Sequence, residues 1–160
     1  MVHTQRSSWV ALATILLSIL LITLAGCGGG SSDPGQIEVP INLKGADNLG
    51  SLGFDLSYDS SVLEVKEITT DELAANAMME YNITSAGKIV IGIIDSSGIN
   101  GDGPVVKISF DVLDGNRESS LEIGKIEAYD AITLIDISTG VSAGSYENGQ
   151  IVSPVITFSP

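Results

Sequence analysis

The chain has 160 residues, with 20 acids against seven Lys and Arg, a net charge of −13, and a single cysteine. A surface this acidic repels phosphate backbones, which excludes nucleic acid as a partner. A lone cysteine excludes any internal disulfide.

Residues 1–8 carry Arg6 and no acid, residues 9–24 are almost wholly apolar, and Leu24-Ala25-Gly26-Cys27 closes that run with small residues. A basic start, an apolar middle and a small-residue exit describe a secretory signal over residues 1–26. The ending Leu-Ala-Gly-Cys resembles the lipobox of bacterial lipoproteins, which implies lipidation of Cys27 as the first residue of the mature chain and a lipid membrane as its anchor. The competing reading is an uncleaved spanning anchor, because the apolar run approaches the ~20 residues such a helix needs. Residues 27–36, containing GGGSSDPG, have the composition of a flexible tether. Gly28 is not the Asp that retains some Gram-negative lipoproteins in the inner membrane, so the lipobox resemblance implies an exported chain displayed on the outer face of the membrane or the cell surface. Loss of Arg6 with the signal leaves 20 acids and six bases, a charge of −14.

The remaining stretch, 37–158, is long enough for one core. Residues 37–43, IEVPINL, predict a first strand with Ile37, Val39, Ile41 and Leu43 on one face. Pro40 lacks an amide donor and places that strand at an edge or a bulge. Leu52, Phe54, Leu56 and Tyr58 recur every second residue; Asp59, Ser60 and Ser61 then form a turn, and Val62, Leu63, Val65 and Ile68 resume a strand. Residues 71–79 are the one helical candidate, with Thr69 or Thr70 as cap and Leu73, Ala74 and Ala77 as a weak apolar side. Tyr81 and Ile83, then Ile89, Ile91 and Ile93, alternate as strands, followed by a Gly-rich loop at 96–104. Val106, Ile108, Phe110 and Val112 mark a further strand, and 114–116 a turn. Leu121, Ile123 and Ile126 suggest another, Ile132, Leu134 and Ile137 one more, and 150–158 the last. About nine short strands with turn signals between them predict an all-β, antiparallel two-sheet sandwich of jelly-roll type.

The chemistry-bearing residue types are sparse. The only histidine is His3, inside the signal, and the only cysteine is the lipidation candidate. Neither a Ser/His or Cys/His nucleophile nor a His/Cys zinc site can be assembled from the mature chain. Carboxylates are plentiful but no pair stands out for glycoside hydrolysis, so no enzyme and no cofactor are expected. Asp95, Asn100 and Asp102 offer the oxygen ligands that calcium takes, yet their spacing departs from the EF-hand loop, and Asn, Asp and Gly equally serve turns. A polysaccharide would need exposed aromatic faces; with Trp9 in the signal, only Tyr81, Tyr129 and Tyr146 are candidates.

These strands resemble the cohesin family, the sandwich modules that bind dockerin domains in cellulosomes. Residues 39–65 look like the family's opening, including Tyr58-Asp59-Ser60-Ser61-Val62-Leu63-Glu64. Residues 88–112 look like its central hairpin, and 146–152, YENGQIV, like its closing strand. The resemblance implies a non-catalytic module that anchors a dockerin-bearing, calcium-loaded or otherwise secreted protein at the cell surface. It places the partner-binding face around Gly53, Ile93, Asp95, Ser97 and Gly98, with Ile91 or Ile93 as apolar centre if either faces outward. The sequence departs from the family twice: Ser60 stands where Pro is frequent, and Gly53 where dockerin binders often place a polar contact residue. A carbohydrate-binding module, or a structural or adhesive surface lipoprotein, are the alternative functions.

Overall fold

The computed structural model describes residues 35–85, 87–137 and 139–159; the signal, the lipobox with Cys27 and most of the tether lie outside them. Among the described residues, no helix is long and apolar enough to cross a membrane. The fold is all-β and almost wholly antiparallel, with the strands β1 (Gln36–Ser57), β2 (Leu63–Thr70), β3 (Met78–Ser85), β4 (Lys88–Val112), β5 (Ser119–Asp130), β6 (Thr139–Ser142), β7 (Gly144–Glu147), β8 (Gln150–Val152) and β9 (Val155–Phe158).

Two long strands organise the jelly-roll sandwich. β1 and β4 run antiparallel along almost their whole lengths, from Gln36 opposite Asp111 to Ser57 opposite Lys88. Register shifts between Ile41 and Ser51 interrupt the ladder without ending it, and such bulges bend a strand so that it passes from one sheet to the other. The segment 96–104, expected as a loop, is therefore part of β4, and 37–43 and 52–58 belong to one strand. The bend is sharp at Gly98, whose φ is +77° and where an added Cβ would strike the Asn48 side chain; only glycine fits there.

The first layer joins the early half of β1 to the late half of β4, with β2 beside β4 and β9 beside β1 in the one parallel pairing, Asn42–Lys44 against Val155–Thr157. β6 closes it against β9. Along 36–41, β1 pairs with β4 alone among the described residues, the edge position that Pro40 requires. The second layer is β3, the early half of β4, the late half of β1, and β5. The β7–β8 hairpin continues from the start of β5.

Alternation sends Val39, Ile41 and Leu43 inward from the first layer and Leu52, Phe54 and Leu56 inward from the second, into one buried cluster with Ile89, Ile91, Ile93, Ile108 and Phe110. Tyr58 packs edge-on against Phe110 with ring centroids 5.2 Å apart. Each such side chain contributes roughly 1.5–3 kcal/mol on burial, which in a domain without disulfides must offset the ordering of the chain.

Three local expectations are corrected. The helix at 71–79 is only a 3-10 turn, Glu72–Ala74, capped by Asp71 rather than a threonine, and Met78 already begins β3. With so few apolar residues on one side, a single turn is all that packing supports. The alternation Ile132, Leu134, Ile137 is not a strand: Asp130 Oδ1 gathers the amides of Ile132 and Thr133 into a turn, leaving Ile132 81% exposed. Finally, 150–158 is two strands, β8 and β9, separated at Ser153 and Pro154.

Candidate functional site

The outer face of the second layer is built in cross-strand rows, because side chains two apart on a strand share a face and antiparallel partners stand side by side. Met78 on β3, Ile94 on β4, Ser51 on β1 and Tyr129 on β5 form the first row. Glu80, Gly92, Gly53 and Glu127 form the second. Asn82, Val90, Asp55 and Gly124 form the third.

The rows differ in chemistry. The first is mostly apolar, with Met78 75%, Ile94 60% and Tyr129 38% exposed around Ser51. Between the first and third, two facing glycines leave a trough floored by backbone and ended by two carboxylates. A cleft of about 360 Å³ opens here, lined by Ser51, Leu52, Gly53, Met78, Glu80, Gly92, Ile93, Ile94, Glu127 and Tyr129.

In the third row Asp55 is buried although its parity points outward. Its carboxylate sits 2.6 Å from Lys88 Nζ, and Gly124 makes room for it, since a Cβ there would lie 2.7 Å from Asp55 Oδ1. A buried carboxylate without such a partner would cost several kcal/mol. The pair is a structural element at the end of the face.

The residues that the resemblance singled out divide by parity and by segment. Gly53 lies in the trough. Ile93 does not offer an apolar centre: like Ile91 it is buried in the core, and the outward positions are Val90 and Ile94. Asp95, Ser97 and Gly98 lie in the bend of β4, beyond the rows. There Asp95 Oδ1 accepts from Ser97 N at 2.8 Å, while Gly98 packs on Asn48.

The calcium candidates point at separate backbone amides. Asp102 Oδ1 accepts from Gly45 N at 2.6 Å and Asn100 Oδ1 from Asn48 N at 2.8 Å, so with Asp95 they hold the bends of β1 and β4 rather than converge on one point. Among the described residues no group of three or more His, Cys, Asp or Glu side chains is placed to hold a metal.

The tyrosines do not make a platform either. Tyr146 is buried, while Tyr81 on the edge strand β3 is 50% and Tyr129 on β5 is 38% exposed; the two stand on opposite parities of the layer, Tyr81 opposite Ile91 and Tyr129 opposite Ser51, so they do not form one flat face.

At the rim, Asp130 holds the turn that follows β5. The amide and hydroxyl of Thr133, then Asn48 Nδ2 and the amide of Ile132, all donate to its carboxylate, and they hold its pKa well below the usual carboxylate range. Met78, Val90, Gly92, Ile94, Glu80 and Glu127 were not singled out from sequence, and Tyr129 was singled out only as an aromatic candidate for a polysaccharide. IVIGII at 89–94 is apolar on both parities, so the sequence signals a strand there without saying that Val90, Gly92 and Ile94 are the outward side.

Comparison with known proteins identifies the family and the fold. The model of the Cohesin domain family matches residues 27–153. A non-cellulosomal cohesin from the hyperthermophilic archaeon Archaeoglobus fulgidus is 27% identical, with a TM-score of 0.62 over 79% of this chain and 81% of that one. The sixth cohesin of scaffoldin B from Acetivibrio cellulolyticus, solved in complex with a dockerin, superimposes with a TM-score of 0.66 at 20% identity, over 71% of this chain and 89% of that one. A type I cohesin–dockerin complex from Clostridium thermocellum gives 0.60 at 18% identity, over 78% and 89%. No relative was found among curated protein sequences.

Proposed function

Because the chain belongs to the cohesin family, we propose that it is a non-catalytic binding module that captures a dockerin domain on the outer face of its second layer and holds the dockerin-bearing protein at the cell envelope. The observation that carries this reading is the bare apolar row of Met78, Ile94 and Tyr129 beside a side-chain-free trough on an otherwise strongly acidic domain. A small apolar centre inside a polar rim is how protein interfaces are built. Related cohesins solved with dockerins support the class of partner.

In this proposal the lipobox anchors the module: acylated Cys27 inserts into the membrane and the tether runs from it to the start of β1 at Gln36. Both assays are direct. Pull-down of secreted proteins in calcium and in chelator should recover a dockerin-bearing protein in calcium only; recovery of none rejects dockerin capture. Metabolic labelling with a fatty acid should mark the wild-type chain and not Cys27→Ala; equal labelling rejects the anchor.

A further inference from the structure

Gly53 and Gly92 face each other on the two central strands of the second layer. Neither has a positive φ. A Cβ on Gly92 would meet nothing within 4 Å, and one on Gly53 nothing nearer than Glu127 at 3.9 Å. The fold therefore needs glycine at neither position, in contrast to Gly98 and Gly124, where an added carbon would strike Asn48 and Asp55. Glycine inside a strand costs roughly 0.5–1 kcal/mol relative to alanine, and central strands favour β-branched residues. A glycine inside a strand marks a bulge, a tight bend or a place where another backbone comes close to the sheet; the β1–β5 register shifts just after Gly53, but the β1–β4 and β3–β4 ladders are regular at Gly92, and the open space above both glycines fits the close approach.

The surroundings specify what comes close. Glu80 and Glu127 stand at the two ends of the glycine row, and neither makes an ion pair among the described residues. Of the neighbouring cations, Lys88 is held by Asp55, and Lys125 lines the adjoining cleft beside Glu127. One cation thus faces two carboxylates, and the partly enclosed trough would strengthen their pull on a charged donor.

We propose that the Gly53–Gly92 trough seats an Arg or Lys side chain of a protein partner, between Glu80 and Glu127, where the partner's backbone crosses the sheet with apolar neighbours resting on Met78, Ile94 and Tyr129. The location rests on the binding-face reading above; the chemistry of the occupant does not depend on the partner being a dockerin.

A phage-displayed library of helical peptides, selected on the mature chain and on a Gly53→Thr/Gly92→Thr variant, tests this without presupposing a natural partner. The wild type should enrich peptides with a basic residue flanked by apolar ones, and the double variant should not. Glu80→Gln/Glu127→Gln should weaken the selected peptides about tenfold. The threonine variant should melt no lower than the wild type, since its new atoms meet open space. The proposal is overturned if both chains enrich the same peptides, if enriched peptides lack a basic residue, if the wild type enriches nothing, or if the threonines destabilise the fold. Basic peptides that require the trough without any dockerin capture would sink the dockerin reading alone. Dockerin capture that survives both threonines would sink the trough alone.

Discussion

The two outer faces of the sandwich rest on one core and have opposite surfaces. On the first layer, Lys66 lies 2.9 Å from Asp111 and 3.6 Å from Glu64, and Lys107 lies 3.5 Å from Glu38. The hydrogen bond to Asp111 and the charges of Asp111 and Glu64 raise the Lys66 pKa. Charge there is matched within the face. On the second layer, Asp55 at one end is paired with Lys88, while the middle of the face is apolar or glycine and its carboxylates, Glu80 and Glu127, meet no cation within ion-pair distance among the described residues. Fold stability asks only for the inward parity, which both layers fill with large aliphatic residues. The outward parity is free to serve solvent on one side and a partner on the other.

That contrast can be broken most severely from inside. Phe110→Ala removes a fully buried ring beneath the first layer and should cost about 3–5 kcal/mol, read by urea unfolding; a loss near zero would mean the sheets are not packed as described. A sharper comparison uses neighbours of opposite parity on β4. Ile93→Ala should cost about 2–5 kcal/mol, whereas Ile94→Ala should stay within about 0.5 kcal/mol. Equal costs would erase the distinction between core and binding surface.

The rim gives a pH signature. Donors to Asp130 depress its folded-state pKa, so its contribution is fully present above the unfolded value of about 3.9 and is lost as pH falls below it toward the folded value. Melting temperature should drop on acidification below about pH 4, and Asp130→Asn should make that drop shallower. A slope unchanged by the substitution would contradict the assignment. Asp59, whose pKa is lowered chiefly by the Ser61 hydroxyl and amide, leaves a residual slope. The smallest effect belongs to the matched face: Lys107→Gln breaks an exposed pair and should change stability by about 0.5 kcal/mol or less.

Where alternation is uninterrupted, as at 37–43, 52–56 and 106–112, the strands and their buried residues were legible in the sequence; at 89–93 the strand was legible but not which side is buried. Continuity across the bends was not, because the Gly-rich segments at 45–50 and 96–104 have the composition of loops while their backbones keep pairing through bulges. Ile132 and Leu134 misled for the converse reason: apolar alternation resembled a strand, but the hydrogen bonds to Asp130 decide the local backbone. The binding face was only half legible. The family resemblance pointed to Gly53 and its neighbourhood, yet assigning the apolar centre needed the parity of β4, and in a run apolar on both parities only its partner strands settle which side faces out.

The central claim is that the outer face of the second layer, and not that of the first, holds the partner. The direct measurement is the calorimetric Kd of a captured calcium-loaded dockerin for Ile94→Asp and, as its counterpart on the first layer, Glu67→Lys. The account predicts a loss of tenfold or more, about 1.4 kcal/mol, for Ile94→Asp and no change for Glu67→Lys; undiminished binding by Ile94→Asp with a loss in Glu67→Lys would contradict it.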